Sequence, residues 1–327
     1  MRNQQEIWNQ RWYGDKPVGF FYRFLASLFT AIYHTRRFLY RIKLFKTHHF
    51  KKPVIVIGNI TVGGGGKTPM VIFLAQQLMS KGHKVGVVSR GYGGQRKVEP
   101  MLVTPGADPV ASGDEPLLIA KSLKIPVMVA KKRAQAVRTL IEQHNIDVVL
   151  SDDGLQHYAM ARDAEIIMLD NKRQLGNGQL LPAGPLREPT ERLQQADLIV
   201  YKGQVDDGLY YWHEIDCIYQ LNQPKNIRSV VDFRSQKIIA MAGIARPNSF
   251  FRVLADNGLA VLKQPKPDHH VFQAADFSEE HMTLITEKDA VKCADIKNPQ
   301  VWVVKTRIVA TAETVVALEK LIEQVMS

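Results

Sequence analysis

Short apolar, β-branched runs alternate along this chain with stretches of helical period, and the alternation predicts a parallel sheet with crossover helices. Residues 54–57 (VIVI), 84–89, 126–130 (PVMVA), 147–150, 165–169 and 198–201 read as strands. Helical spacing fits residues 70–79, stopping near Gly82, then 117–123, and a segment through Gln143. After residue 203 the pattern changes. Residues 204–236 lack helical period and read as a linker, with a short β-ribbon expected. A second, smaller α/β unit begins at 238–243 (IIAMAG), with a helix over 248–257. Residues 301–309 form a last strand and 314–325 an amphipathic terminal helix.

The N-terminal part follows a different pattern. Residues 1–16 are polar and aromatic and lack the apolar core and small-residue cleavage site of a secretion signal. Residues 18–43 are rich in apolar side chains but carry Arg23, so they make a poor spanning helix. A central Arg costs roughly 2.5–3.5 kcal/mol on insertion scales. Arg23, Ser27, Thr30, His34, Arg37 and Arg41 instead recur at steps of three and four, as one narrow polar stripe. Phe21, Phe24, Leu25, Leu28, Phe29, Ile32 and Leu39 cover most of the remaining surface. Such a helix suits a membrane interface. The competing reading is a core-packed helix with a solvated edge.

Candidate chemistry is concentrated where strands end. The first strand runs into Gly63, Gly64, Gly65 and Gly66, then Lys67-Thr68, then a helix. Strand, glycine loop, Lys-Thr and helix is the context of a phosphate-binding P-loop. Glycines let backbone N–H groups turn toward a polyphosphate, and the helix N-terminus adds partial positive charge. Lys67 is the candidate phosphate cation and the Thr68 hydroxyl the candidate Mg²⁺ ligand. The strict pattern has Gly six residues before the Lys, where this chain has Thr61. The strand ending in Asp152-Asp153 matches the carboxylate half of such a site. The predicted fold is therefore α/β: a P-loop NTPase-like, mostly parallel sheet with helices on both faces, plus a smaller C-terminal α/β domain and an N-terminal membrane-associated helix. The expected divisions are 1–45, 46–203, 204–236, 237–300 and 301–327.

Further candidates carry two readings. Asp114 and Glu115 open a helix, so they are either helix N-terminal charges or a base and a metal ligand. Lys131, Lys132 and Arg133 follow a strand and either meet phosphates or are solvated. A Pro/Gly-rich loop over 175–189 carries Arg187 and Glu188. His269 and His270 follow Pro267-Asp268 in a loop and are either structural or reach an interdomain site. Thr286-Glu287-Lys288-Asp289 starts a helical turn.

Composition narrows the classes. The 327 residues are 45% hydrophobic and 23% charged, an ordinary globular balance. Two distant cysteines, Cys217 and Cys293, argue for a reducing compartment and against a zinc or disulfide framework. A net charge of +11 suits nucleic acid, anionic lipid or phosphorylated ligands. No nucleic-acid recognition motif is present, so no nucleic-acid partner is expected, and no obligate protein partner is evident. A guanine-nucleotide switch is disfavoured because Asn171-Lys172-Arg173-Gln174 lacks the Asp of Asn-Lys-x-Asp.

Taken in order, GNITVGGGGKTP, SRGYGG, GDEP, DDGLQH, PLRE, PDHH and TEKDAVK resemble the tetraacyldisaccharide 4′-kinase family over nearly the whole chain. That family also lacks the strict first Gly. The resemblance implies a P-loop core with a smaller C-terminal α/β domain across a cleft, on the cytoplasmic face of the inner membrane. It implies transfer of the γ-phosphate of ATP, with Mg²⁺, to the 4′-hydroxyl of a tetraacylated glucosamine disaccharide 1-phosphate, giving lipid IV(A). Carried over by motif, Thr61, the glycines 63–66, Lys67 and Thr68 hold phosphate. Asp114 resembles the base, paired with His269, whose choice over His270 rests on its place after Pro-Asp. Glu115, Asp152 and Asp153 match the metal-site carboxylates, with Thr68. Arg133 and Arg187 match basic residues near phosphates.

Overall fold

A computed structural model describes residues 2–63 and 65–327, with side chains from residue 7 onward. In chain order the helices α1 (Arg2–Tyr13) and α2 (Phe20–Arg41) precede β1 (Val54–Gly58), α3 (Lys67–Ser80) and β2 (Val85–Ser89). Next come β3 (Met101–Val103), α4 (Pro109–Ser112), α5 (Asp114–Leu123), β4 (Val127–Val129) and α6 (Arg133–Gln143). β5 (Val148–Asp152), β6 (Ala164–Asp170), β7 (Leu198–Lys202), β8 (Leu209–Gln220) and β9 (Gln223–Arg228) follow. The chain ends with β10 (Ile238–Ala242), α7 (Pro247–Asp256), β11 (Val261–Pro265), β12 (Met282–Thr286), α8 (Glu287–Ala290), β13 (Val301–Ala310) and α9 (Ala312–Met326).

Two compact units result. The first holds residues 1–90, 130–211 and 310–327; the second holds 91–129 and 212–309. The alternating pattern through residue 203 predicts one continuous core. Residues 91–129 nevertheless fold with the later part of the chain, because packing ignores sequence order. Within the first unit, β7, β6, β1, β5 and β2 lie side by side and run parallel. Every residue of β1, β2 and β5 is buried, so both faces of these strands are covered. β1 and β6 are neighbours whose onward connections leave in opposite directions, and in such sheets ligands bind outside the strand C-termini at that point.

The second unit has its own parallel set, β11, β10, β12 and β13. Phe233, Phe251, Leu254 and Trp302 fill its core. The expected ribbon within 204–236 is the antiparallel hairpin of β8 and β9. β3 and β4 form a further antiparallel pair.

α2 occupies the segment expected to be helical, and the stretch before it also forms a helix, α1. Ala26 and Tyr33 are the buried positions of α2. Phe20 is 85% exposed, and Phe21, Phe24, Leu28, Ile32 and Phe38 are exposed as well. The polar stripe runs along the edge between these two faces: Arg23, Ser27, Thr30 and His34 line an open groove of about 610 Å³ with Gln179 and Glu191, and Arg23, Ser27 and His34 themselves remain exposed. Arg37 bonds Gln195, and Arg36 donates to the Gln156 carbonyl at 3.2 Å. Among the described residues no helix is long and apolar enough to cross a membrane.

Candidate active site

The glycine loop begins where buried β1 ends. Asn59, 1% exposed, turns the chain there. Its Oδ1 accepts the Thr61 N–H at 2.8 Å and the Thr61 hydroxyl at 2.9 Å. Thr61 is thus committed to shaping the loop. Gly63 is exposed and Gly65 buried along the turn; Gly64 lies outside the described residues. Gly66 caps α3 at φ +79°, the left-handed region that favours glycine. A Cβ there would lie 1.9 Å from Tyr211 Oη, whose hydroxyl donates to the Gly66 carbonyl at 3.2 Å.

α3 opens with Lys67 and Thr68, so its first-turn N–H groups and dipole face the same place as these side chains. Thr68 Oγ1 donates to Asp152 Oδ2 at 3.2 Å. Lys67 Nζ stands 3.6 Å from Asp153 Oδ1. Arg187 Nη1 reaches both Asp153 oxygens at 3.1 Å and Gln156 Oε1 at 3.4 Å. Burial pushes the Asp153 carboxyl up, but the Lys67 and Arg187 charges prevail and hold it below its usual range. Asp153 adopts φ +53°, a strained setting for a residue with a side chain. Arg133 is buried, and its guanidinium donates to the carbonyls of Ala130, Asp152 and Asp153 at 3.3 Å each. It braces the turn after β5 and is not solvated.

A second constellation lies in the other unit. Gly113 at φ +85° precedes α5, and a Cβ there would meet the Tyr92 carbonyl at 2.8 Å. This turn places Asp114 at the head of α5, where its Oδ2 lies 2.9 Å from His269 Nδ1. His270 goes elsewhere, with Nε2 3.1 Å from Asp276 Oδ2. His269 itself holds φ +59°. Burial would raise the Asp114 carboxyl, but the His269 hydrogen bond and the Lys292 and Lys288 charges hold it below its usual range. The same hydrogen bond to Asp114 pushes His269 up. Glu115, read as a metal ligand, pairs with Lys288 Nζ at 3.0 Å within this unit.

Among the described residues no cluster of three or more His, Cys, Asp or Glu side chains forms a metal cage. The Thr68–Asp152 pair does fit Mg²⁺, which takes one or two protein oxygens and completes its shell with water and substrate phosphates.

A parallel sheet, a glycine loop opening a helix at Lys67-Thr68, and carboxylates at the end of β5 define a P-loop nucleoside-triphosphate-binding protein of the phosphoryl-transfer class. The LpxK family profile, described as tetraacyldisaccharide-1-P 4′-kinase, matches residues 19–326. The chain belongs to that family. A tetraacyldisaccharide 4′-kinase of Pasteurella multocida is 43% identical over 306 residues, covering 90% of this chain and 92% of that protein. One of Actinobacillus succinogenes is 42% identical over 319 residues, covering 96% and 97%. The crystal structure of Aquifex aeolicus LpxK in complex with ATP superposes with a TM-score of 0.77 at 29% identity, covering 93% of this chain and 98% of that one.

Asn59, Gln156 and Lys292 lie in the quoted motifs without an assigned role, and Tyr211 lies outside all of them. Asn59 is a polar residue directly after an apolar strand, a pattern that points to a turn. Gln156 donates to the Asn59 carbonyl at 3.1 Å and to Glu188 Oε1 at 2.9 Å, tying three loops together. Tyr211 is distant in sequence from Gly66, and nothing in its local pattern marks it; Lys292 closes the TEKDAVK run, but its approach to Asp114 is not legible there.

Proposed function

We infer that this chain transfers the γ-phosphoryl group of ATP to the 4′-hydroxyl of a tetraacylated glucosamine disaccharide 1-phosphate, producing lipid IV(A) for lipid A. Family membership supports the acceptor. The observation that carries the chemistry is the 2.9 Å Asp114–His269 contact, a paired carboxylate suited to accept an alcohol proton. A nucleotide switch has no need of one.

In this reading the glycine loop, α3 N-terminus and Lys67 hold the nucleotide phosphates, and Thr68 and Asp152 hold Mg²⁺. When bound, Mg²⁺ neutralises charge on the β- and γ-phosphates. Asp153 orients Lys67 and Arg187, which answer the charge that develops on the transferred group. Asp114 takes the proton as the sugar O–H bond breaks. The freed oxygen pair bonds phosphorus, and the P–O bond to ADP breaks with its pair on ADP.

The reading extends to location. The outward apolar face of α2 lies in the surface of the inner membrane on its cytoplasmic side, where a four-chain lipid acceptor resides. The polar stripe, which flanks the apolar face and lines the groove with Gln179 and Glu191, leaves Arg23 and His34 at the edge of the hydrocarbon rather than within it.

The test is transfer of labelled γ-phosphate from ATP to the tetraacyldisaccharide 1-phosphate in detergent micelles. Transfer that vanishes in Asp114→Ala supports the reading. ATP hydrolysis without transfer overturns the assigned acceptor and favours a switch.

A further inference from the structure

The TEKDAVK run, residues 286–292, has no role in the chemistry above, yet it is built around two buried charges. Asp289 is fully buried. Its Oδ2 accepts the Gly243 N–H at 3.1 Å and the Thr286 hydroxyl at 2.8 Å. Its Oδ1 pairs with Lys292 Nζ at 2.9 Å, and the Lys292 side chain is only 6% exposed. The same ammonium lies 5.3 Å from the Phe272 ring centroid. Desolvating such a pair commonly offsets its attraction, so an apolar pair of similar volume would serve stability as well. The neighbours of this pair point to another use.

Lys292 Nζ also lies 3.8 Å from Asp114 Oδ2, the same oxygen that faces His269 Nδ1. Gly243, whose N–H is held by Asp289, accepts the backbone N–H of His269 through its carbonyl at 3.1 Å. One buried carboxylate therefore sets both members of the dyad: His269 through Gly243, and Asp114 through Lys292.

We propose that Lys292, held by Asp289, is a positioning residue that pins Asp114 Oδ2 together with His269, so that Oδ1 is the oxygen that takes the acceptor proton. The proposal rests on the reading of Asp114 as the base. The hydroxyl O–H bond breaks, the Oδ1–H bond forms, and the oxygen pair goes to phosphorus while ADP leaves with the P–O pair. Lys292 transfers no proton and touches no reacting atom. Beyond the charge that helps hold the Asp114 carboxyl down, its contribution is alignment, and misplacement by about 1 Å can cost on the order of 10²-fold in rate.

The experiment compares wild type, Lys292→Met and the double variant Lys292→Met/Asp289→Asn in the transfer assay, with urea unfolding alongside. Lys292→Met alone leaves Asp289 as a lone buried charge. The double variant removes both charges, and the amide oxygen introduced by Asp289→Asn still offers an acceptor to Gly243 and Thr286. The expected result is a kcat about 10–100-fold down in the double variant, with KM for ATP within about twofold and the unfolding midpoint retained. Wild-type kcat in the double variant overturns the proposal, as does a loss expressed in KM for ATP or in step with lost folding. A wild-type protein that transfers no phosphate overturns the underlying reading, and the proposal with it.

Discussion

Gly66→Ala tests the glycine loop most directly, because the structure prescribes both the damage and its partial repair. The φ of +79° costs a residue with a Cβ about 1–2 kcal/mol. The new methyl would sit 1.9 Å from Tyr211 Oη, so the buried ring must leave its position. Moving it off its rotamer costs about 1 kcal/mol, and losing its hydrogen bond to the Gly66 carbonyl about 1 kcal/mol more. Gly66→Ala should therefore destabilise by about 3–4 kcal/mol, a large share of the roughly 5–15 kcal/mol typical of a folded protein. Tyr211→Phe alone loses only the hydrogen bond, about 1 kcal/mol, since the Gly66 carbonyl still accepts the Met70 N–H at 3.2 Å. In the double variant the obstructing oxygen is gone. The remaining costs are the φ strain and the single lost hydrogen bond, about 2–3 kcal/mol against an additive sum of about 4–5. Urea midpoints at unchanged m give the cycle, and ATP affinity should recover in parallel with the coupling. Additivity within about 0.5 kcal/mol would show that Tyr211 does not lie over Gly66, and the loop geometry would be wrong.

Three other outcomes follow from particular residues. Lys67→Ala should lower kcat roughly 10²–10³-fold in the transfer assay, since it removes one preorganised donor to developing charge; near-normal turnover would refute the phosphate role. Burial pushes Glu287 up to about 7, outweighing Lys305, so its folded form binds a proton that the unfolded chain has released above its ordinary 4.5. The stability this contributes is present at low pH and lost as pH rises through about 7, and Glu287→Gln should flatten that fall, up to about 3 kcal/mol, in unfolding measured at about pH 5 and about pH 8. Replacing Phe21, Phe24, Leu28 and Ile32 with Ser removes apolar area worth about 1.5–3 kcal/mol per side chain, and sedimentation with anionic vesicles should fall well over tenfold; unchanged partitioning sinks the interfacial helix.

Local pattern determined a good deal here. The VIVI run, the glycines and Lys67-Thr68 announce a strand, a turn and a helix head, because each depends on backbone preferences within a few residues. Asp152 at the end of an apolar strand was legible for the same reason, and so was the helical spacing of α2. Which face of α2 turns outward was not, since the stripe at steps of three and four reads identically whether solvent, lipid or protein covers it. Only the burial of Ala26 and Tyr33, with Phe20, Phe24 and Leu28 left exposed, decided that. Residues 91–129 joining 212–309 was equally hidden, because strand order depends on long-range pairing that local pattern does not encode. Asp114 stood open between helix charge and base until a histidine 155 positions away arrived at 2.9 Å. The same holds for Arg133, whose donors the fold commits to carbonyls, and for Tyr211 above Gly66. Sequence set the elements through local sterics and hydrophobic period; tertiary structure alone decided which charges meet, because a hydrogen bond requires ångström proximity between groups that the chain keeps far apart.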